Sequence, residues 1–480
     1  MRIALVSFNS YPSLAIRNLA MYLSASEPEL AAKTDVSFLE YDISRSRYVK
    51  DSNIENFHFT SHLDQCLNDL VDAAPDLIGF SCYLWNVESI TRLSRSVKDL
   101  LPDSAIVLGG PNAGPIGDEI LTKHECIDYI IDDINGEVPF VRLVQELSSE
   151  DAPELEQVPS LIFRKDGSPS HTESNGYEFD INLLSGVYDQ HPPDANLKTW
   201  YYGRVVYETQ RGCPYKCSFC FYSEGKPIRK ADDTVIEELS GLLGRGLNVE
   251  LADATFTTHK KRAKKILGAL ASQEYTGSLY LQAYPDSLDE EVVAMLAKNR
   301  VEWLAMGLQT VSRDGLEATR RRLNKTSFET AVALLKAYEI PFWVDLIYGL
   351  PGTTVEDFLA TLDYVISLGV EVITPNRLLG LPGTKMLENP EEYGLVFGPS
   401  PPYEMLKSDM LTIKDVIFCG QVCRPQFVSK LIDQSDDNIL QKLIAVSGSR
   451  IDFLNLLYTK YRENQSTKLE DAMASAIRAL

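Results

Sequence analysis

The sequence has no apolar run of the roughly 20 residues that a helix needs to cross a bilayer. The short apolar run after Met1 ends at the turn residues 9–12, which is typical of a first strand and not of a signal peptide. Basic residues are few, since 46 Lys and Arg stand against 68 Asp and Glu and the net charge is −22. Such a field repels nucleic-acid phosphates and anionic membrane surfaces. We therefore expect a cytoplasmic protein without nucleic-acid or membrane partners.

Cysteine is too scarce and too scattered for a disulfide framework. The 480 residues contain eight cysteines, and Cys66, Cys82 and Cys126 are expected to be buried small apolar residues in a reducing compartment. No internal repeat stands out. Apolar content of 44% and charged content of 24% are those of a globular protein, and the length predicts two or three domains.

Three other cysteines are close together, at Cys213, Cys217 and Cys220, in a C-x3-C-x2-C spacing. Three thiolates within eight residues can converge on one soft metal centre if the backbone loops tightly. Three is one fewer than the four protein ligands of a closed zinc or iron–sulfur site, so one iron of a cluster would stay open. A zinc site completed by His191 or His259 is the alternative. Zinc sites usually pair one C-x2-C with another, however, and this sequence has no second pair.

This spacing, with Phe219 before the third cysteine and two aromatic residues after it, resembles the radical S-adenosylmethionine (SAM) superfamily. The resemblance implies a 4Fe–4S cluster on the three cysteines, with Phe219 beside the cofactors and an open iron that chelates SAM. It also implies an electron donor such as flavodoxin or ferredoxin. In that superfamily the reduced cluster cleaves SAM to methionine and a 5′-deoxyadenosyl radical, which abstracts hydrogen from the substrate.

Residues 1–150 alternate short β-branched runs with helical stretches, which predicts βαβ units and a parallel sheet. Small, turn-forming or acidic residues follow the predicted strands, namely Ser81, Gly109, Gly110, Gly136 and Glu137. The carboxyl edge of an open α/β sheet is where its ligand binds. These segments resemble the cobalamin-binding N-terminal domain that precedes many radical SAM domains, and the resemblance implies that these five residues border cobalamin.

The Asp-x-His-x-x-Gly motif, which supplies a lower cobalt ligand in other cobalamin proteins, is missing from this sequence. We therefore expect cobalamin bound without a histidine ligand. A Rossmann-like domain that does not bind cobalamin is the alternative.

The rest of the chain is predicted to contain a linker at 151–200, a partial (β/α)6 barrel at 201–395 and a mainly helical C-terminal domain at 396–480. Six βα units predict the barrel, whose chemistry belongs at the carboxyl ends of its strands. The predicted strands are Val205–Glu208, Asn248–Leu251, Leu279–Ala283, Trp303–Gly307, Pro341–Ile347 and Val370–Pro375. With its C-terminal extension, the chain resembles a cobalamin-type radical SAM branch whose C-terminal domain is largely uncharacterised.

Polar residues and glycines are concentrated where the barrel strands end. In strand order they are Asp253, Thr255, Gln282, Gln309, Gly349, Leu350, Pro351, Asn376 and Arg377. The resemblance implies that these residues surround SAM, with the Gly-Leu-Pro turn at its adenine. It also implies that one arginine of the run 320–322 reaches the SAM carboxylate. Three alternatives stay open: a cap of the next helix for the first two residues, a solvated loop for the last two, and a helix-dipole contact for the arginines.

The resemblance implies cobalamin-dependent methyl transfer to an unactivated centre of a small-molecule or peptide-derived substrate. Cys419 and Cys423 would share a helix face and offer a second hypothesis, in which SAM donates its 3-amino-3-carboxypropyl group to a soft nucleophile held by these thiols. Two buried packing thiols are the simpler interpretation. A cobalamin-independent radical rearrangement and a cluster-bearing redox sensor also stay open. The Leu-Pro-Gly strand ends and Gln309 argue against the sensor, since a sensor needs no SAM pocket.

Overall fold

The computed structural model describes residues 1–43, 60–174, 176–193, 203–222, 227–435, 438–464 and 466–479. The chain divides into two units. Unit 1 comprises residues 1–210, 228–252 and 275–277, and unit 2 comprises residues 211–227, 253–274 and 278–480. Among the helices in these described ranges, none is both long and apolar enough to cross a membrane.

Unit 1 is built on a seven-stranded sheet. Its strands are β1 (Arg2–Asn9), β2 (Asp35–Asp42), β3 (Leu77–Ser81), β4 (Ala105–Gly109), β5 (Tyr129–Ile131), β6 (Leu161–Lys165) and β7 (Ser168–His171). The spatial order is β2-β1-β3-β4-β5-β6-β7, and the first five strands are parallel. β3 is buried along its whole length, as expected of a central parallel strand that is covered on both faces.

Helices pack on both faces of this sheet. They are α1 (Leu14–Ser26), α2 (Pro28–Ala31), α3 (Thr60–Ala73), α4 (Val87–Leu100), α5 (Gly117–Lys123), α6 (Glu137–Leu147) and α7 (Val187–Gln190). Successive strand residues enter opposite cores, because side chains alternate along a strand. Leu5 and Val107 belong to one apolar cluster, whereas Val6 and Leu108 belong to the other.

The hairpin β6–β7 extends the sheet beyond residue 150. Ile131 of β5 pairs with Leu161 in an antiparallel register, and Ile162 and Phe163 are buried. Residues 161–171 lie within the predicted linker at 151–200, and they form the hairpin β6–β7. Residues 175 and 194–200 of that predicted linker lie outside the described residues.

The second βα series begins in unit 1 and continues in unit 2. Its first elements are β8 (Arg204–Tyr207), the short strands β9 (Gln210–Arg211) and β10 (Ile228–Arg229), α8 (Asp232–Gly244) and β11 (Asn248–Leu251). β8 and β11 are parallel neighbours.

Unit 2 contains four more parallel strands with alternating helices. These elements are α9 (Lys260–Leu270), β12 (Leu279–Ala283), α10 (Glu290–Ala297), β13 (Val301–Gln309), α11 (Arg313–Ala318), α12 (Lys325–Ala337), β14 (Phe342–Tyr348), α13 (Val355–Ser367) and β15 (Ile373–Arg377). Each strand pairs in parallel with the next along the chain. Six strands of the second series are therefore present. The predicted fold class, two parallel α/β series and a helical C-terminal region, is confirmed.

The C-terminal region of unit 2 is helical apart from one antiparallel ribbon. Its elements are α14 (Lys385–Glu388), β16 (Leu395–Phe397), β17 (Met405–Ser408), α15 (Ile413–Val422), α16 (Pro425–Ile432), α17 (Ile439–Ser447), α18 (Arg450–Glu463) and α19 (Leu469–Ala479). The ribbon is fastened to the strand ends of the sheet. Arg377 donates from Nε to the Met405 carbonyl at 2.7 Å and pairs with Glu404 at 2.8 Å.

Candidate functional site

The three-cysteine loop lies in unit 2 and is anchored to the end of α11. Ser218 donates its backbone N–H to the Thr319 carbonyl at 3.1 Å, so the loop satisfies a carbonyl that the helix end leaves free. Within the loop, the Cys220 N–H donates to the Cys217 carbonyl at 3.0 Å. Cys217 is buried, while Cys213 and Cys220 are partly exposed. Burial raises the pKa of the thiols of Cys213 and Cys220.

The chemistry of this loop fits an iron–sulfur cluster. It offers three soft sulfur donors within eight residues, and each cysteine is free of a disulfide. In the described ranges, no three His, Cys, Asp or Glu side chains are already gathered in a metal-binding arrangement. His259, one possible fourth zinc ligand, accepts a hydrogen bond from the Arg262 N–H at its Nδ1 and caps α9. The loop itself therefore offers three cysteine donors.

Arg321 links the cysteine loop to β13. Its Nη1 lies 3.6 Å from Sγ of Cys217, and its Nη2 donates to the Gly307 carbonyl. The guanidinium also lies over the Tyr284 ring, 5.1 Å from its centroid, and that ring stacks on Tyr215 at 3.9 Å. The sequence indicated one arginine of three at this site, and the structure brings Arg321 to the cysteines. The stack on Tyr215 carries no sequence signal, because its two residues are far apart in the chain.

Gln309 ends β13 with an unusual backbone. The register slips between Gly307 and Gln309, and Gln309 has a φ of 72°. A positive φ is strained for a residue with a side chain, and such strain is typical of ligand sites. The Gln309 Oε1 atom is buried and has no hydrogen-bond partner in the described part of the chain. This orphaned acceptor fits a ligand that donates a hydrogen bond.

Asp253 and Thr255 follow β11 and are almost fully buried, at 0% and 2% exposure. Thr255 Oγ1 lies 2.7 Å from Thr258 Oγ1. The cap of α9 is provided by His259, since its imidazole nitrogen accepts a hydrogen bond from the third N–H of the helix. The alternative that Asp253 or Thr255 caps this helix is therefore wrong.

The other predicted SAM contacts are spread over the strand ends of unit 2. Gln282 and Asn376 are exposed, and Phe219 beside Cys220 is partly exposed. Gly349, Leu350 and Pro351 are buried, and a side chain at Gly349 would collide with Met405. Arg377 is engaged by Glu404, as described above.

Asp345 on β14 is a site residue that the sequence analysis did not single out. Its register partners are Gly307 on β13 and Thr374 on β15. Burial raises the pKa of Asp345 to about 6, while hydrogen bonds from Trp343 and Thr374 and the charge of Arg321 oppose the shift. A carboxylate inside the otherwise apolar run 342–348 was the available sequence signal.

In unit 1, the loop after β4 leaves an opening at the carboxyl edge of the sheet. Gly110 has a φ of 111°, and a Cβ there would lie 2.6 Å from the Cys82 carbonyl oxygen. Gly109 has no atom within 4 Å of its would-be Cβ, and its carbonyl accepts from the Cys82 N–H at 2.7 Å. Ser81, on the neighbouring strand, accepts from Asn86 Nδ2 at its carbonyl. No side chain therefore covers the backbone at Gly109, at the edge where an α/β sheet binds its ligand.

Two buried polar side chains at this edge lack partners among the described residues. Asn112 is 1% exposed with neither side-chain atom hydrogen-bonded, and Ser7 near the end of β1 has an unpaired hydroxyl. Gly136 and the buried Glu137 begin α6 at the same end of the sheet. Orphaned buried polar atoms beside bare glycine backbone fit a large polar ligand such as cobalamin. The sequence did not single out Asn112 or Ser7.

Cys419 lies on α15 and Cys423 is the C-cap of the same helix, and both have the surroundings of packing residues. Cys419 is 0% exposed, and burial raises the pKa of both thiols. A raised pKa disfavours the thiolate that a metal or a soft acceptor requires.

Comparison with known proteins agrees with both sites. Residues 207–365 match the Radical SAM superfamily, and residues 3–143 match the B12 binding domain. The first range includes the three cysteines, β13 and β14, and the second includes β1 to β5. Fold and site thus define an enzyme of the radical SAM class with a cobalamin domain. The chain therefore combines a domain of the Radical SAM superfamily with a B12 binding domain, and the cofactors of these two domains are a 4Fe–4S cluster, SAM and cobalamin.

Individual relatives are distant. An uncharacterized methyltransferase of Pyrococcus horikoshii is 26% identical over 65% of this chain and 69% of its own length. The cobalamin-dependent radical SAM methyltransferase TokK of Streptomyces tokunonensis is 27% identical over 67% of this chain and 50% of its own length. The structure of the radical SAM methyltransferase TsrM from Kitasatospora setae, solved with cobalamin and a 4Fe–4S cluster, covers 100% of both chains with a TM-score of 0.67 at 17% identity. That likeness shows the fold.

Proposed function

We propose that this enzyme transfers a methyl group to an unactivated centre of a small-molecule or peptide-derived substrate. The observation that carries the proposal is the presence of two differently built sites in one chain. One is the three-cysteine loop held by Arg321, and the other is the bare glycine edge beside Asn112. When bound, the cluster with SAM supplies an organic radical and cobalamin supplies the methyl group.

The side chains of the two sites bind and position these groups. The three cysteines would hold the cluster, and Arg321 would donate to one of its sulfur ligands. Gln309 would accept a hydrogen bond from SAM with its unpaired Oε1. Asn112 and Ser7 would bind polar groups of cobalamin, and Gly109 would leave room for it. The methyltransferase names of the relatives support this function.

Anaerobic purification with reconstitution tests the proposal. We expect about four irons per chain, as one 4Fe–4S cluster requires, and one cobalt. Turnover should yield both S-adenosylhomocysteine and 5′-deoxyadenosine, which report methylation of cobalamin and the radical step. The triple alanine variant of the cysteines should hold no cluster. Protein expressed with ample cobalamin that shows no cobalt and no corrin absorption would refute the cobalamin part of the proposal.

Aminocarboxypropyl transfer is the competing reaction, and its marker is 5′-methylthioadenosine. The burial of Cys419 and Cys423 does not favour it. A product spectrum that contains methylthioadenosine alone would nevertheless replace methyl transfer with this reaction.

A further inference from the structure

One face of the unit 2 sheet differs from the other in chemistry. The opposite face carries aliphatic side chains such as Leu304 and Val344, which are fully buried. The aromatic face, as we name it, carries residues that are partly or fully exposed. It includes Tyr280, Trp303, Trp343, Asp345, Thr374 and Asn376. Strand alternation places them together, since register partners on parallel strands share a face.

The residues of the aromatic face are ordered in layers along the strands. Tyr280 pairs in register with Trp303, and one layer further on Trp343 pairs with Ala305. The two indole rings lie 5.7 Å apart with their planes inclined by 52°. Together they present a wide π surface with both rings partly exposed. Two inclined rings of this kind favour an aromatic ligand ring in offset or edge-to-face contact.

A hydrogen-bond acceptor lies one layer further along the same face of the sheet. Asp345 is in register with Gly307 and Thr374, and the neighbouring donor side chains of Trp343 and Thr374 lower the pKa of its carboxyl. Gly307 itself carries no side chain, and the space beside it is occupied by the Gln309 amide and the Arg321 guanidinium. A carboxylate has about four acceptor sites, so two donors leave capacity for a ligand donor. Burial raises the pKa of Asp345 to about 6, and a further donor would favour its charged form.

We propose that the aromatic face binds the methyl-accepting substrate, and that this substrate contains a planar aromatic or heteroaromatic ring with an N–H donor. The ring packs on Trp303 and Trp343, and the N–H donates to the Asp345 carboxylate. The role of the bound molecule as methyl acceptor rests on the proposed function, whereas its binding to the aromatic face does not. A few convergent polar groups on a mainly apolar surface are the usual composition of a small-molecule site.

Binding of two fragments of equal shape tests the ring and donor together. Indole carries an N–H where benzofuran carries an oxygen, so the pair differs in the donor alone. We expect the reconstituted protein to bind indole at least about tenfold more tightly than benzofuran in ligand-observed NMR titrations, since one charge-assisted hydrogen bond distinguishes them. Equal binding of the two, or no binding of either, would overturn the proposal.

Variants assign the effect to residues. Asp345→Leu should bring the affinity ratio close to one, whereas the control Glu302→Leu, at an exposed carboxylate of the same sheet, should leave it unchanged. Trp303→Leu should weaken both fragments and preserve the ratio, which tests the site even if Asp345→Leu does not fold. Unaltered binding in Trp303→Leu would contradict the proposed π surface.

Cofactor assays on the same preparation separate the two proposals. Protein that contains cobalt and cleaves SAM, yet does not distinguish indole from benzofuran, would refute the substrate class and leave methyl transfer standing. Protein that distinguishes the fragments but contains no cobalt would retain the aromatic site and refute the proposed function.

Discussion

The Arg321 guanidinium lies 3.6 Å from Sγ of Cys217, although 104 residues separate them in the chain. The same side chain donates to the Gly307 carbonyl. A cationic donor to a thiolate ligand stabilises the more negative, reduced form of an iron–sulfur cluster. Arg321 thus connects the position of the cysteine loop with the redox behaviour of the cluster that it would hold.

We expect Arg321→Gln to lower the reduction potential of the reconstituted cluster by on the order of 100 mV. A charged hydrogen bond contributes about 1.5–3 kcal/mol, and 59 mV corresponds to a tenfold change for one electron. Arg321→Lys keeps the charge but loses the planar fork, so its potential should fall between the two. Potentiometric titration followed by electron paramagnetic resonance measures the shift. An unchanged reduction potential in the Arg321→Gln variant would show that the guanidinium does not reach the bound cluster.

Two adjacent glycines should separate folding of unit 1 from cobalamin binding. Gly110→Ala forces a Cβ against the Cys82 carbonyl at a φ of 111°, so we expect a loss of about 1–3 kcal/mol in stability. Gly109→Ala meets open space, and its apoprotein should melt like the wild type. If cobalamin occupies that space, Gly109→Ala protein should nevertheless retain less cobalt after anaerobic reconstitution.

The control for both glycine variants is Gly244→Ala at the end of α8, which has no atom within 4 Å of its would-be Cβ. It should change neither the melting temperature nor the cobalt content. Wild-type cobalt content in Gly109→Ala would argue against ligand binding at this loop.

Cys419→Ser should destabilise the protein without impairing the chemistry. The site is fully buried, and a hydroxyl placed there without a partner costs about 1–3 kcal/mol. Cys419→Ala removes the sulfur without adding a polar group and serves as the matched variant. Thermal melts report the difference, and 5′-deoxyadenosine formation per cluster reports the chemistry. A stable Cys419→Ser protein that no longer forms product would revive the aminocarboxypropyl hypothesis.

Asp345 should make the apoprotein less stable as the pH rises. Its folded pKa of about 6 lies above the ordinary value of 3.8, so the folded state binds the proton more tightly than the unfolded state. Stability is therefore lost between about pH 4 and 6, by up to roughly 2–3 kcal/mol for a shift of this size. Asp345→Asn should lose less over that range, as melting temperatures at pH 4.5 and 7 would show. A parallel pH dependence in both proteins would contradict the raised pKa.

Local sequence patterns predicted most of the fold. The bounds of Asn248–Leu251 and Leu279–Ala283 agree with the structure, because buried parallel strands are short β-branched runs between clear turns. β13 was predicted to end at Gly307 and continues to Gln309, because pairing with β14 resumes at Gln309 after a register shift. The pairing of β6 with β5 was not predicted, because that pairing depends on long-range register.

The site could be predicted only where it is local. Spacing alone indicated the three cysteines, since eight residues form one loop. The contact of Arg321 with Cys217 and the layer of Asp345 with Thr374 depend on strand register and packing, which a motif does not encode. Asn112 and Ser7 were missed because a polar residue at a strand end is ordinary until its lack of partners is known.

The contacts between the β16–β17 ribbon and the strand ends determine where C-terminal regions can be exchanged between related proteins. The Met405 side chain packs against Gly349, and Arg377 donates a hydrogen bond to the Met405 carbonyl. The strand ends of the sheet and the C-terminal ribbon therefore share one interface. A chimera joined at residue 395 would replace the ribbon, so Gly349 would lose its contact with Met405 and Arg377 would lose its hydrogen-bond acceptor. Exchange of C-terminal regions among relatives should therefore succeed when the junction lies beyond residue 408, because the recipient protein then keeps its own β16–β17 ribbon.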